Sequence, residues 1–203
     1  MTVTQSASRV EALSDGVFAI ALTLLTLNIR LAQGPRETFA HAFGATLPQL
    51  LTYALSFAVI AVFWVTHRRF FARLAKIDEG LVGCNFVYLA LIALIPFPSQ
   101  VLGNNGDEAG AVVLYVAVIG AAALMTAAMW EYAYRRALLD PDVSRRFVWY
   151  IEGRAVAITA VFALSIPVAF IVGPHAAQWF WLLAVPVRIV LRRRFGPADA
   201  AAW

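Results

Sequence analysis

Charge is scarce in this chain. Only 14% of its 203 residues are Asp, Glu, Lys or Arg, and 62% are hydrophobic, whereas soluble domains carry about a quarter charged residues. With a mean hydropathy of +0.75, this excludes an ordinary soluble domain and points to an all-α integral membrane protein. There is one cysteine, Cys84, set in an apolar run. Alone it forms no intrachain disulfide, and it reads as a small buried hydrophobe. The three histidines, His41, His67 and His175, show neither H-x-x-H nor H-E-x-x-H spacing, so they are not expected to share a metal ion. No G-x-S-x-G motif and no paired acidic motif falls within an apolar segment. A membrane-embedded enzyme therefore has little to work with, and no cofactor is expected. The start, MTVTQSAS, lacks the basic region and cleavage site of a signal peptide, so the first apolar segment is expected to be retained. The net charge of +4 is no sign of nucleic-acid binding, because the basic residues are scattered over short loops.

What the chain does have is six apolar segments, roughly 9–31, 46–67, 79–102, 109–134, 150–173 and 175–192. Pro167 and Pro186 fall inside the last two, which membrane helices tolerate when neighbours satisfy the freed backbone groups. GNNGDEAG, 103–110, is a turn. Trp149, Tyr150, Trp179 and Trp181 read as interfacial belts, and the basic, aromatic run Phe63–Lys76 as an interfacial anchor. Glu131 and Glu152 read as solvated acids paired with nearby arginines. Arg68, Arg69, Arg73 and Lys76 follow the second segment, Arg135, Arg136, Arg145, Arg146 and Arg154 follow the fourth, and Arg192, Arg193 and Arg194 follow the sixth. The loop after the third has only Asp107 and Glu108. Basic loops stay cytoplasmic, so both termini are expected in the cytoplasm of a multi-pass cell-membrane protein. Arg30 and Arg36, on the other side, weaken this pattern without reversing it.

The first segment starts badly for a membrane helix. Arg9, Glu11 and Asp15 precede an uninterrupted apolar run of only Gly16 to Leu27, roughly 18 Å of helix against a hydrocarbon core of ~30 Å. A helix over 8–31 would instead span roughly 36 Å. Its charged start then lies at the membrane boundary and just inside it. Residues 9, 13, 16, 20, 23, 27 and 30 form one stripe, with steps of four and three: Arg9, Leu13, Gly16, Ile20, Thr23, Leu27 and Arg30. Two readings fit that stripe. One is a helix–helix packing seam, where Gly and Thr are common. The other is a pore wall, with Ile20 and Leu27 as constrictions that gate by dewetting and Thr23 offering oxygen between them. Asp15 has a similar choice. It is either an N-cap that starts a helix too short to span, or an acid near the membrane whose cost, up to about 2.5–3.5 kcal/mol at the bilayer centre, demands a partner. Glu11 repels it at i−4, and Arg9 lies round the far side of the helix. Trp64, His67 and Arg68, at the end of the second segment, are the nearest candidates.

RVEALSDGVFAIALTLL resembles the first-helix signature, R-x-x-x-F-S-D followed by an apolar helix, of the transmembrane protein 175 family of potassium channels. Arg9, Ser14 and Asp15 match, and Leu13 stands in place of the Phe. FWVTHRRFF is similar to the family's W-x-x-H segment, at Trp64 and His67. The resemblance implies a potassium-permeable, leak-type channel of six helices. The T-V-G-Y-G carbonyl filter is absent from the family and from this sequence. It implies that the first helix lines a central pore, with an apolar gate at Ile20, a selectivity position at Thr23 and another constriction at Leu27. It implies a polar network of Arg9, Ser14, Asp15, Trp64 and His67 at the cytoplasmic end. Single-repeat members form homotetramers, so the expected partners are potassium ions, the lipid bilayer and other copies of this chain. On that view the first helix is central and screened from lipid. The alternative is a secondary transporter, which would want a polar site at mid-membrane. This sequence offers little there beyond Thr23 and Thr26.

Overall fold

The computed structural model describes residues 3–31 and 38–195, and among these it is helical with no strand. Arg36 and the chain end at Trp203 lie outside the described residues. Eight helices follow in order: α1 Val3–Leu24, α2 Phe39–Phe71, α3 Glu79–Leu94, α4 Pro96–Asn104, α5 Ala109–Arg135, α6 Arg145–Ile171, α7 Pro174–Phe180 and α8 Ala184–Phe195. Among the described residues, five stretches are long and apolar enough to cross a membrane: Ser8–Leu27, α2, α3 with α4, α5, and α6.

Local chemistry sets the boundaries. Thr38, Asp78 and Ser144 cap α2, α3 and α6, each side-chain oxygen accepting from the backbone N–H three residues on. Thr38 starts α2 well before the expected position 46. The third segment, expected as one helix, is interrupted at Ile95, where Pro96 has no N–H to give. Ser99 Oγ donates to the Ile95 carbonyl at 2.8 Å and holds α4 on. At the end of α5, Ala137 takes φ 51°. Leu138 N–H then reaches back to Ala133 O at 2.9 Å and Ala137 N–H to Tyr134 O at 3.1 Å, so the last carbonyls are not orphaned.

The sixth segment is helical but broken by a 3₁₀ turn at Trp181–Leu183. Its start lies beside the 103–110 turn, where His175 Nε2 meets Asp107 Oδ1 at 2.7 Å and Gln178 Nε2 donates to Gly106 O at 3.0 Å. Its end, at Leu191 and Phe195, lies beside Arg146 and Arg154. The segment therefore runs the length of the bundle, back to the end that carries the basic loops.

At that basic end two loops clasp each other. Ala75 and Lys76 N–H both donate to Leu138 O, Asp140 N–H donates to Arg73 O at 2.9 Å, and Arg73 pairs with Asp142 at 3.2 Å. Asp78 adds to the clasp, accepting from Leu81 N–H at 2.8 Å, Tyr132 OH at 3.1 Å and Arg136 Nε at 3.4 Å. The backbone bond from Leu81, then Tyr132 and Arg136, hold its carboxyl below the usual aspartate value. Glu131 pairs with Arg135 and Arg145. Glu152 departs from the solvated pairing expected of it: its Oε1 is buried with no hydrogen-bond partner among the described residues.

The core gathers on α5, the most buried of the spans. α6 packs along α5, with α3 and α4 on its other side. α1 is at an edge, packed on α2, α3 and α4. Within one chain, one of its faces is left open.

Candidate functional site

That open face is the stripe read from the sequence. Arg9, Leu13, Gly16, Ile20, Thr23, Leu27 and Arg30 are all exposed, Ile20 at 59% and Leu27 at 68%. A side chain at Gly16 would meet no heavy atom within 4 Å. The face of α1 that does pack is Ser14, Phe18, Ala21 and Leu25, every one buried, again at steps of four and three. Over the α-helical part, which ends at Leu24, 100° per residue puts Leu13, Gly16, Ile20 and Thr23 nearly opposite Ser14, Phe18 and Ala21. The packing seam within the chain is thus the second stripe and not the first.

α1 ends in a 3₁₀ turn over Leu25–Asn28. Thr23 Oγ1 donates to Ile20 O at 2.8 Å and Thr26 Oγ1 to Thr23 O at 2.7 Å. Each hydroxyl spends its proton on its own helix and keeps its lone pairs. For Thr23 that leaves an acceptor oxygen on the open face, about one turn from Ile20. Arg30 N–H donates to Gln49 Oε1 at 3.0 Å and ties the far end of α1 to α2.

At the basic end α1 is held by polar contacts to α2 and α3. Trp64 Nε1 donates to Asp15 Oδ1 at 2.8 Å, so Asp15 bonds across helices and caps nothing, since α1 is already helical from Val3. Arg68 lies over the Trp64 ring, 5.6 Å from its centroid. One residue before Asp15, Ser14 Oγ donates to Val10 O at 2.8 Å and accepts from Asn85 Nδ2 at 3.1 Å. Asn85 Oδ1 meets His67 Nε2 at 2.8 Å. The directions follow from one another. Ser14 has one proton, committed to Val10, so Asn85 must present its NH₂ to Ser14 and its oxygen to His67. His67 then carries its proton on Nε2. The His67 ring is stacked on Tyr88 at 5.4 Å and 3° and lies 4.4 Å from Phe71. Ser14, His67 and Asn85 are all buried, so this is a satisfied polar chain inside the bundle.

Two points differ from the sequence reading. Arg9 is exposed and has no ion pair or hydrogen bond among the described residues, so one chain does not draw it into the contacts around Asp15. Asn85, which bridges Ser14 and His67, was missed. Its signal was an amide in the middle of GCNFVYL, where no turn needs one.

A second buried polar set lies in the half of the bundle away from the basic end. Ser99 Oγ donates to Ser56 Oγ at 2.8 Å, Ser56 lies 3.2 Å from Tyr115 OH, and Tyr115 stacks on Trp181 at 5.1 Å. It ties α2, α4 and α5 to the 3₁₀ turn of the sixth segment. Nothing in it faces the open side of α1.

Known proteins resemble this arrangement. The profile of the family described as endosomal/lysosomal potassium channel TMEM175 matches residues 9–96, which include both motifs and Asn85. A potassium channel of Streptomyces collinus is 36% identical over 184 residues, covering 87% of this chain and 89% of that protein. The human endosomal/lysosomal proton channel TMEM175 is 32% identical over 172 residues, covering 78% of this chain and 34% of that protein. The crystal structure of a lysosomal potassium-selective channel TMEM175 homolog from Chamaesiphon minutus superposes with a TM-score of 0.73 at 25% identity, covering 92% of this chain and 98% of that one.

Proposed function

The chain belongs to the TMEM175 family, and from that premise we propose that it is a potassium-permeable, leak-type cation channel of the cell membrane, built as a homotetramer around four copies of α1. The observation that carries this is the open stripe of α1. One chain buries Ser14, Phe18, Ala21 and Leu25 and leaves Leu13, Ile20 and Leu27 exposed, with the acceptor oxygen of Thr23 between them. One helix cannot enclose a pore. Closed rings are the usual way in which identical chains meet, and a ring that brings the open stripes to its axis stacks Ile20, Thr23 and Leu27 as successive layers. Ile20 and Leu27 are the constrictions, because an ion passing them keeps little water and gains no oxygen. Thr23 is the selectivity position. Asp15, Ser14, Trp64 and His67, with Asn85, fix the rotation of α1 so that the stripe faces the axis. Arg9, without a bond among the described residues, finds its partner on a neighbouring copy. The basic end is cytoplasmic, and with it both termini.

The reading as an embedded enzyme falls with the relatives, which are named as channels. Their names divide between potassium and proton, so the test measures both ions. Purified protein is reconstituted in liposomes, and passive flux of potassium, sodium and protons is compared while the mass of the assembly is determined. The proposal expects a four-chain particle with potassium flux above sodium flux. An active monomer, or flux obligatorily coupled to a second gradient, refutes it.

A further inference from the structure

The α6–α8 cleft at the basic end has a composition that the conduction pathway does not use. Its volume is about 310 Å³. α6 contributes Arg146, Tyr150 and Arg154, at steps of four along one face, with Trp149 and Gly153 beside them. α8 contributes Leu191 and Phe195. The two α6 arginines are roughly 12 Å apart along the axis.

Charge and apolar surface are both in excess here. Arg154 lies over the Tyr150 ring at 5.9 Å, and the positive charges of Arg188 on α8 and Arg69 on α2 act on it. The ion pairs among the described residues employ Arg73, Arg135, Arg136, Arg145 and His175. None reaches Arg146, Arg154 or Arg188, which are gathered without an anion. The lips of the cleft are apolar and open, with Trp149 and Phe195 well exposed. The floor at Gly153 is empty, since a Cβ there would meet no heavy atom within 4 Å.

The geometry points to a binding site for one anionic phospholipid of the adjoining leaflet, its phosphate held between Arg146 and Arg154 and its acyl chains laid along Trp149, Leu191 and Phe195. Guanidinium groups hold phosphate oxygens two at a time, and basic pockets between membrane helices suit lipid headgroups. A free phosphate would use the arginines but not the apolar lips, and a zwitterionic lipid would leave the positive charge uncompensated. The site is independent of the channel reading, because it lies on the outer flank of α6 and its test does not measure flux.

The full-length protein is purified in detergent, and its thermal midpoint is compared with added phosphatidylglycerol, with phosphatidylcholine at the same mole fraction, and with inorganic phosphate. Retained lipid is counted by native mass spectrometry. A ligand of the folded state raises the midpoint, so phosphatidylglycerol should raise it by several degrees over phosphatidylcholine and be retained, while phosphate alone changes nothing. Arg146→Gln with Arg154→Gln should abolish the difference between the two lipids. Gly153→Leu, which fills the floor and keeps every arginine, should abolish it too. The comparison is made within each variant, so a general loss of stability does not enter. If the double variant does not fold, Gly153→Leu decides. Equal midpoints in the two lipids, a shift from phosphate alone, or a lipid difference that survives Gly153→Leu would overturn the site.

Discussion

Trp64 and Asp15 stand 49 residues apart in the chain and are joined by a 2.8 Å bond from the indole Nε1 to the carboxylate Oδ1. One turn further along α2, His67 reaches Ser14 through Asn85. Two neighbouring residues of α1 are thus gripped from two successive turns of α2. This fixes the rotation of α1 about its axis, and that rotation decides which stripe faces outward.

The Trp64–Asp15 bond is directional, so its two ends should respond differently to conservative change. Trp64→Phe keeps the ring and removes the donor, and Asp15→Asn keeps an acceptor oxygen. Hydrogen bonds to charged groups contribute about 1.5–3 kcal/mol, and the exposure of Asp15 in one chain favours the low end. Trp64→Phe and Asp15→Ala should each lower the thermal stability of the detergent-solubilised assembly, Asp15→Asn should lower it less, and the double variant should cost little more than either single. Fully additive losses would show that the two residues act separately.

Asn85→Leu is nearly isosteric, leaves His67 Nε2–H without its acceptor and takes the donor from Ser14 Oγ, which keeps only its bond to Val10 O. A buried group without its partner costs about 1–3 kcal/mol. The variant should lose thermal stability, and Ser14→Ala added to it should cost little more, because all that Ser14 then still makes is a local bond within α1. Wild-type stability for Asn85→Leu would mean that the polar chain contributes nothing.

The basic end should weaken in acid. The carboxyl of Asp78 is held below its usual value, so the folded state favours the charged form. Its contribution is therefore complete above the ordinary aspartate value of about 3.9 and is lost as pH falls below it towards the folded value. Asp78→Ala also removes the α3 cap, for about 0.5–2 kcal/mol. Asp78→Asn keeps a capping oxygen, so it should lose less at neutral pH and show a shallower decline below pH ~4. Thermal midpoints between pH 3 and 7 check this, and identical pH profiles for wild type and Asp78→Asn would contradict it.

How much of this was legible in the sequence depended on the range of the interaction. The apolar segments were legible because burial in lipid demands a run of apolar residues, and the α1 stripe because helical period is local. The break between α3 and α4 at Ile95 was not anticipated, although Pro96 carried the information, because the apolar run continues through it. Asn85 was missed because its two partners come from α1 and α2, and only the packing of α3 between them gives the amide its use. Helical period put Arg9 on the far side of α1 from Asp15, and there it is exposed; its place in a network came from the resemblance alone. The stripe itself stayed ambiguous between seam and pore, since period alone cannot say what a face meets. Its exposure in one chain removes the intrachain seam and leaves the question to the assembly.

A substitution at Thr23 should separate ion choice from assembly. Thr23→Val keeps the shape and removes the exposed hydroxyl that donates to the Ile20 carbonyl. The potassium-to-sodium flux ratio should change while the assembly mass does not. An unchanged ratio would remove Thr23 from the pathway.

Ile20 tests the central claim most directly. Four Ile20 side chains meeting at an axis form a ring that gives a passing ion no oxygen and resists wetting. Passive potassium flux into liposomes is measured for wild type, Ile20→Asn and Ile20→Phe, with the mass of each assembly taken in parallel. The pore-wall account predicts flux above wild type for Asn, which wets the ring, and below it for Phe, which fills it, with the assembly unchanged. Wild-type flux and ion preference for Ile20→Asn in an intact assembly would place the pore elsewhere and make the open stripe a contact between chains.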